Sequence, residues 1–287
     1  MKTSGLTLTE LLVAITIIAL CVLILIPILA RIRYNKYRTA CADNLSAISK
    51  AIWYYANDYN DEFPVAGGPD SKWGRTPNWQ AADLSDAYGR ANDADGCASI
   101  SANFYLLIKY EQLKPRSFIC PVDPNTAEFT LAKHTVRGKK LIDLWDFGPD
   151  PSKHVSYSYH SSYGPYALTS SNLPGMAVAA DRNPWLAAPG HPARPTTDFQ
   201  AFDPNGTRES IKRANAVQHQ EDGQNVLYVD GHASFEKQSF CGVKDDNIYT
   251  RQNAADVKKG TLPTLTSQPA SRKDSLLLND PPTGTAK

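Results

Sequence analysis

The sequence lacks the short motifs by which many enzymes are recognised. It has no Gly-x-Ser-x-Gly nucleophile elbow, no His-Glu-x-x-His zinc motif and no Gly-x-x-x-x-Gly-Lys phosphate loop. These motifs position a nucleophile, a catalytic metal or a phosphate group. Their absence leads us to predict that the protein is not an enzyme.

Concentrated positive charge and closely spaced cysteines are also missing. The 30 Lys and Arg residues balance 29 Asp and Glu residues, giving a net charge of +1, and no long basic run occurs. Nucleic acid is therefore not an expected partner, because its phosphates are bound by clustered Lys and Arg. The five cysteines include no pair at zinc-finger spacing, so a zinc finger is not predicted.

One long apolar run stands out against this background. Leu11 to Ala30 is twenty residues long and is interrupted only by Thr16 and the weakly polar Cys21. This length matches the ~20 residues with which an α-helix crosses the core of a bilayer. Arg31 to Tyr34 follow in place of the small residues of a signal-peptidase site, so we expect the run to stay in the mature protein.

A recognisable pattern directly precedes this run: Gly5-Leu6-Thr7-Leu8-Thr9-Glu10. It resembles the leader-peptidase site of type IV prepilins and type II secretion pseudopilins. The resemblance implies cleavage after Gly5, N-methylation of Leu6, and retention of Glu10 as a carboxylate that pairs with the new α-amine of a neighbouring subunit. The alternative is an ordinary signal anchor with Glu10 among the lipid headgroups, which leaves Gly5 unexplained.

A helical pattern continues beyond the apolar run. Apolar residues recur at steps of three or four at Cys41, Leu45, Ile48, Ile52, Tyr55 and Tyr59. This spacing is typical of an amphipathic helix with one buried face. We therefore predict one spine helix from Leu6 to Tyr59, with a kink or a locally melted turn at Pro27, because a proline removes one backbone donor.

The patterns and the resemblance together predict an α+β fold, in which the spine helix packs on an antiparallel β-sheet head with long loops. The expected segments are the leader (1–5), the transmembrane half (6–30) and the amphipathic half (31–60) of the spine helix, the head (61–259) and a flexible tail (260–287). Thr, Ser, Pro and Lys dominate the tail apart from Leu276 to Leu278, a composition typical of disorder.

Three short elements are predicted within the head. Ile100 to Leu113 has the pattern of a short helix. Val155 to Tyr159 alternates as a strand does, and Met176 to Asp181 is a short apolar strand that ends in an acid.

A β-hairpin is predicted around Asp230-Gly231, because alternating runs flank this pair and both central residues of a type I′ turn need positive φ. The hairpin carries a second resemblance. His219, ten residues, then Asp230-Gly231-His232 is similar to the C-terminal H-X9-DG signature of prepilin-like proteins, with ten residues in place of nine. Cys120 to Pro124 and Asp181 to Pro184 also resemble segments of such heads.

We expect no cofactor, with two divalent metal sites as alternatives. Asp181, His219, Asp230 and His232 offer two imidazoles and two carboxylates, which suit a transition metal. A purely structural contact between His219 and Asp230 is the preferred explanation of these residues, since Asp230 is also a turn residue. Asn92 to Gly96 has part of a calcium-loop spacing but lacks the downstream Glu; an ordinary turn is the alternative.

The resemblance also implies a function, a location and partners. It implies a structural subunit of a type IV pilus-like filament or of a type II secretion pseudopilus. The partners would be a prepilin peptidase and methyltransferase, other pilin or pseudopilin subunits, the inner-membrane assembly platform and the lipid bilayer. The protein would cross the inner membrane once, with its N-terminus in the cytoplasm and its head in the periplasm, or would lie in a surface filament.

One observation opposes the expected export of the head. The basic residues after the apolar run, Arg31, Arg33, Lys36 and Arg38, would by the positive-inside rule keep the head in the cytoplasm. An exported head would hold one disulfide, for which Cys97 with Cys120 is the favoured pair among several open pairings.

The second functional hypothesis is a membrane-tethered, non-polymerising protein that binds a ligand such as a polysaccharide, through Trp73, Trp79, Trp145 and Trp185.

Overall fold

The computed structural model describes residues 7–90, 95–134, 136 and 138–284. Gly5 and Leu6, at the expected processing site, and most of the calcium-like segment at 92–96 lie outside the described residues. The chain divides into two compact units, residues 1–39 and residues 40–287. We describe each unit by itself.

A single helix, α1, runs from Leu8 to Asp58 and belongs to both units. The α-helix continues through Pro27 without interruption. Among the described residues, α1 is the one helix long and apolar enough to cross a membrane, judged by its length and composition. The apolar side chains in the first half of α1 are exposed: Ile17 is 56% exposed and Leu23 is 69% exposed. Such an apolar surface is typical of a segment that contacts lipid or another chain.

The last third of α1 forms part of the core of the head. Cys41, Leu45, Ile48 and Ile52 are all at most 2% exposed, which confirms the predicted buried face over these turns. Tyr59, predicted on the same face, is 36% exposed and lies just beyond the end of the helix, so that part of the prediction is wrong. The helix ends where Asn60 and Asp61 adopt positive φ and the Asp61 N–H bonds back to the Ala56 carbonyl, as left-handed residues commonly end helices.

The head is built around a five-stranded antiparallel sheet with the order β6-β5-β4-β3-β7. Its strands are β3 (Tyr157–His160), β4 (Ala177–Asp181), β5 (Gln224–Tyr228), β6 (Ala233–Glu236) and β7 (Leu277–Leu278). A separate parallel pair joins β1 (Lys72–Trp73) to β2 (Cys97–Ala98). The remaining α-helices are α2 (Leu84–Ala87), α3 (Ile100–Glu111), α4 (Thr196–Ala201) and α5 (Arg208–Lys212). Helix with antiparallel sheet makes the fold α+β, as predicted.

Both faces of the sheet are covered. Leu227 of β5 packs in the same apolar cluster as α1 and α3, whereas its neighbours Val226 and Tyr228 point into a second cluster with Trp185 and Phe202. Alternate residues of a strand point to opposite faces, so β5 contributes to two cores. This double coverage explains why β4 and β5 are buried along their whole length.

The segment expected to be a flexible tail is part of this structure. Leu277 and Leu278 pair with His160 and Tyr159 of β3 and are fully buried. Asp280 accepts hydrogen bonds from the N–H groups of Ile100 and Ser101, and so caps the first turn of α3. The expectation of a flexible tail over 260–287 is therefore wrong for these residues, because three leucines in a polar segment were enough to form an edge strand.

A second buried acid, Asp146, lies in the same polar network. It accepts hydrogen bonds from Thr76, Ser101 and the Phe147 N–H. Burial, and then the charge of Asp280, raise the pKa of Asp146 to about 7 from its ordinary 3.8. Asp146 therefore keeps its proton in the folded head at pH values where the unfolded chain has lost it.

We expect this raised pKa to make the head less stable as pH rises. The contribution of protonated Asp146 is complete below pH 3.8 and is lost as pH rises to about 7, by about 2 to 4 kcal/mol. Asp146→Asn, which mimics the protonated side chain, should flatten this decline in urea unfolding of the detergent-solubilised chain. An unchanged slope in the variant would show that another group causes the decline.

Candidate functional site

The first turn of α1 holds Glu10 in a capping box with Thr7. The Glu10 carboxylate accepts hydrogen bonds from the Thr7 N–H at 2.8 Å and from the Thr7 hydroxyl at 2.7 Å. The Thr7 hydroxyl oxygen in turn accepts from the Glu10 N–H at 3.3 Å. This is the reciprocal pattern that begins many helices. The Thr-x-x-Glu spacing was readable in the sequence, and it gives Glu10 a role within one chain that sequence reasoning missed.

The four residues proposed as a transition-metal site do not meet. Asp181, at the end of β4, lies 3.3 Å from Nε2 of His219. Asp230 and His232 contact each other on the exposed hairpin turn, where the His232 ring stacks on Tyr228. Asp181 bonds to Asn225 near the start of β5, and the turn lies beyond the other end of that strand, about 10 Å or more away at ~3.3 Å per residue. Both that metal set and the alternative contact between His219 and Asp230 are therefore wrong.

The disulfide of the head joins Cys41 of α1 to Cys120, with 5.4 Å between their Cα atoms, a usual distance for this bond. The favoured pairing of Cys97 with Cys120 is wrong. Cys97 lies in the separate two-stranded sheet, where its thiol donates to the Arg75 carbonyl. The sequence placed Cys41 on the apolar face of the helix and left it among the open pairings, and this buried face is where the disulfide forms.

Next to the disulfide, Asp181 and His219 complete a group that we call the buried cluster: Cys41, Cys120, Asp181 and His219. One possible ligand atom from each of these four side chains lies within 4.8 Å of those of the other three, and all four residues are buried. The cluster brings together α1, the turn at Cys120, the end of β4 and the residue that opens the His219 signature.

Asn225 holds the acid and the imidazole of the buried cluster in place. Its backbone N–H donates to Oδ2 of Asp181 at 2.6 Å, and its side-chain amide lies 3.2 Å from the same oxygen. The amide nitrogen is also 3.1 Å from Nε2 of His219. Asn225 was predicted only as a strand residue, and no sequence signal distinguishes it from other asparagines.

A buried ion pair beside the buried cluster joins the two further segments that resembled known heads. Arg182 contacts Asp123 at 3.0 Å, with side chains 6% and 1% exposed. Arg182 also donates to the carbonyls of Ser152 and Val155. Burial lowers the pKa of Arg182, and the charge of Asp123 opposes this effect. The pair ties the turn after Cys120 to the end of β4, and breaking one partner of such a pair is costly.

The Asp230-Gly231 turn packs on α1. Gly231 has a φ of 90°, and its carbonyl accepts a hydrogen bond from the Ser49 hydroxyl at 3.2 Å. The hairpin itself is confirmed, but Asp230 does not have positive φ, and the Gly231 N–H bonds to the Tyr228 carbonyl. The turn is thus a three-residue loop with glycine in the left-handed position, and the predicted type I′ turn is wrong.

Replacing Gly231 tests this contact. We expect Gly231→Ala to lower the free energy of unfolding by about 1 to 3 kcal/mol, from the positive φ and from a Cβ placed 3.2 Å from the Ser49 hydroxyl oxygen. The matched control is Gly138→Ala, since Gly138 also has positive φ but nothing within 4 Å of its Cβ position. Equal losses in urea unfolding would show that the contact with α1 contributes nothing.

The tryptophans of the second functional hypothesis are held by the head itself. Trp145 and Trp185 are 5% exposed, and the indole N–H of Trp145 donates to the Ala81 carbonyl. Trp73 donates to Asp280, and Trp79 makes an edge contact with Phe129. In the described part of the chain these four side chains do not form an exposed aromatic surface of the kind that stacks on sugars.

Comparison with protein-family models, with curated proteins and with solved structures gave no match for this chain. Two features of the chain itself bear on function: the capped apolar start of α1, and the attachment of its last third to the head by the disulfide and by the hairpin turn.

Proposed function

We propose that the protein is a structural subunit of a type IV pilus-like filament or of a type II secretion pseudopilus, matured by cleavage after Gly5 and N-methylation of Leu6. The observation that carries the proposal is α1 itself. One helix begins with an exposed apolar segment and ends as core of an α+β head, and it starts at Leu8, a few residues after the prepilin-like leader at 1–5. Such a subunit needs one segment for lipid or sister helices and a second for its own head.

The disulfide supports an exported head. Disulfides persist in oxidising compartments such as the periplasm and are rare in the cytoplasm. The bond between Cys41 and Cys120 therefore favours the periplasmic orientation over the one implied by the basic residues that follow the apolar run. This support is independent of the leader, because Cys41 and Cys120 are not part of that motif.

The mechanism follows from what each part of α1 contacts. In the membrane, the apolar segment faces lipid, and the Glu10 carboxylate is satisfied by Thr7. On assembly, sister helices replace lipid, and Glu10 exchanges its cap, worth ~1 kcal/mol, for the α-amine of a neighbouring Leu6. Opposite charges attract more strongly where water is excluded, so the exchange favours the filament.

The same arrangement connects the head to the helix. The disulfide at Cys41 and the hydrogen bond at Ser49 hold the last third of α1 against the sheet side of the head. A subunit pulled by its head therefore moves with its helix, because these contacts must break before the two separate.

Mass spectrometry of the N-terminal peptide tests the proposal. Protein isolated from its native membrane is expected to begin with N-methylated Leu6, and protein from cells without the prepilin peptidase should begin at Met1. A Gly5→Val variant is the matched control, because it should remain uncleaved in peptidase-containing cells. A native N-terminus at Met1, or one beyond Ala30, would refute the proposal.

A further inference from the structure

The buried cluster contains the donor atoms of a four-coordinate zinc site. Cys41 and Cys120 provide two sulfurs, His219 one imidazole nitrogen and Asp181 one carboxylate. We propose that, when the disulfide is reduced, the buried cluster binds a zinc ion through two thiolates, Nε2 of His219 and the carboxylate of Asp181. The proposal concerns the head and does not depend on the proposed function.

Two distances within the buried cluster are close to those of such a site. With zinc bonded to sulfur at about 2.3 Å and to nitrogen or oxygen at about 2.0 Å, tetrahedral ligand atoms lie about 3.3 to 3.8 Å apart. Sγ of Cys120 is 3.9 Å from Nε2 of His219, and this nitrogen is 3.3 Å from Oδ2 of Asp181. The two sulfurs, now bonded to each other, must separate to about 3.8 Å, and reduction of the disulfide permits that. The remaining ligand atoms already lie within 4.8 Å of one another.

The carboxylate and its surroundings also fit a cation. Asp181 is fully buried, and among the described residues its Oδ1 accepts no hydrogen bond. Its Oδ2 is held by Asn225, which is how outer-shell groups orient metal ligands. The neighbouring Arg182 is bonded to Asp123. A buried carboxylate with an unused oxygen is costly unless a cation or donor reaches it.

The redox step requires a dithiol or phosphine reductant. Two electrons and two protons convert the disulfide into two thiols, while a dithiol reductant becomes a disulfide, or a phosphine and one water become a phosphine oxide. Zinc then displaces both thiol protons, which leave to solvent. Cys41 of α1 is thus linked to Cys120 in both states, first by a covalent bond and then through the metal. The buried cluster keeps α1 attached to the sheet whichever redox state prevails.

Cobalt(II) binding to the full-length chain in detergent tests the proposal. We expect the phosphine-reduced protein to show thiolate-to-cobalt charge-transfer bands and tetrahedral d–d bands, with equimolar zinc removing them. The oxidised protein should show neither. Reduced protein without thiolate bands would overturn the proposal, because the other ligands alone do not make this site.

Variants identify the ligands. His219→Gln and Asp181→Asn should each weaken zinc binding by more than the roughly 10- to 100-fold that loss of an outer-shell partner costs. The matched control, Cys97→Ser with Cys241→Ser, removes two other thiols of the head and should bind as before.

Folding of the variants is checked separately. Circular dichroism of each oxidised variant, in which the disulfide still forms, shows whether the head is intact. Where a variant does not fold, the spectrum of the control protein decides the question, since Cys41 and Cys120 are its only thiols in the head. Loss of the thiolate bands in that control would assign the metal to Cys97 or Cys241 and overturn the proposal.

Discussion

Glu10→Leu is expected to abolish incorporation into filaments while leaving insertion into the membrane intact. The apolar run that inserts the chain does not need the acid, and removing a charge near the bilayer favours insertion. The filament does need it, because the proposed partner of Glu10 is the α-amine of a neighbouring subunit. The measurement is the amount of the chain in sheared or sedimented filaments relative to that in the membrane fraction.

A second variant separates this role from the capping box. Glu10→Gln keeps an oxygen that accepts from the Thr7 N–H, since Gln also serves in capping boxes, but it has no charge. We expect Glu10→Gln to fail in assembly as Glu10→Leu does. If Glu10→Gln assembles normally and Glu10→Leu does not, Glu10 acts as a helix cap and the pairing with the amine is wrong.

Removing the disulfide is expected to cause the largest loss of head stability. The bond joins residues 79 positions apart, and the entropy of closing a loop of that length corresponds to roughly 4.5 kcal/mol. The variant is Cys41→Ala with Cys120→Ala, and the measurement is urea unfolding in detergent under oxidising conditions. A chelator in all samples keeps metal from the remaining ligands.

The control for this experiment is Cys97→Ala, the cysteine favoured by sequence reasoning. It should cost much less than the double variant, because Cys97 lies in the short two-stranded sheet, where its thiol donates to the Arg75 carbonyl and does not close a loop of 79 residues. A loss in Cys97→Ala as large as in the double variant would contradict the assignment of the disulfide.

The two ends of the His219 signature have different physical roles in the head. His219 contacts Asp181 inside the buried cluster, whereas Gly231 gives the hairpin a left-handed turn residue that packs against Ser49 of α1. The first contact lies beside the disulfide of Cys41 in α1, and the second touches α1 directly at Ser49. The spacing between them follows from β5, which runs from one contact to the other, so a signature read as one motif corresponds to two separate attachments.

Some features of the head were open to prediction because their signals are local. The buried face of α1 appears as apolar residues at helical spacing, and the hairpin appears as alternating runs around Asp230-Gly231. The short helix at Ile100 was predicted for the same reason. In each case, residues that lie close together in the sequence decide the local structure. The pattern can therefore be read without knowing any tertiary contact.

The sequence by itself determined a long helix that is apolar at its start and amphipathic toward its end, and a hairpin with a glycine turn, because periodicity and turn chemistry act over a few residues. Only the tertiary structure decided that Cys120 bonds to Cys41, that His219 meets Asp181, and that Leu277 and Leu278 form the edge of the sheet. These contacts join distant parts of the chain, and which of many compatible partners meet depends on how the whole core packs.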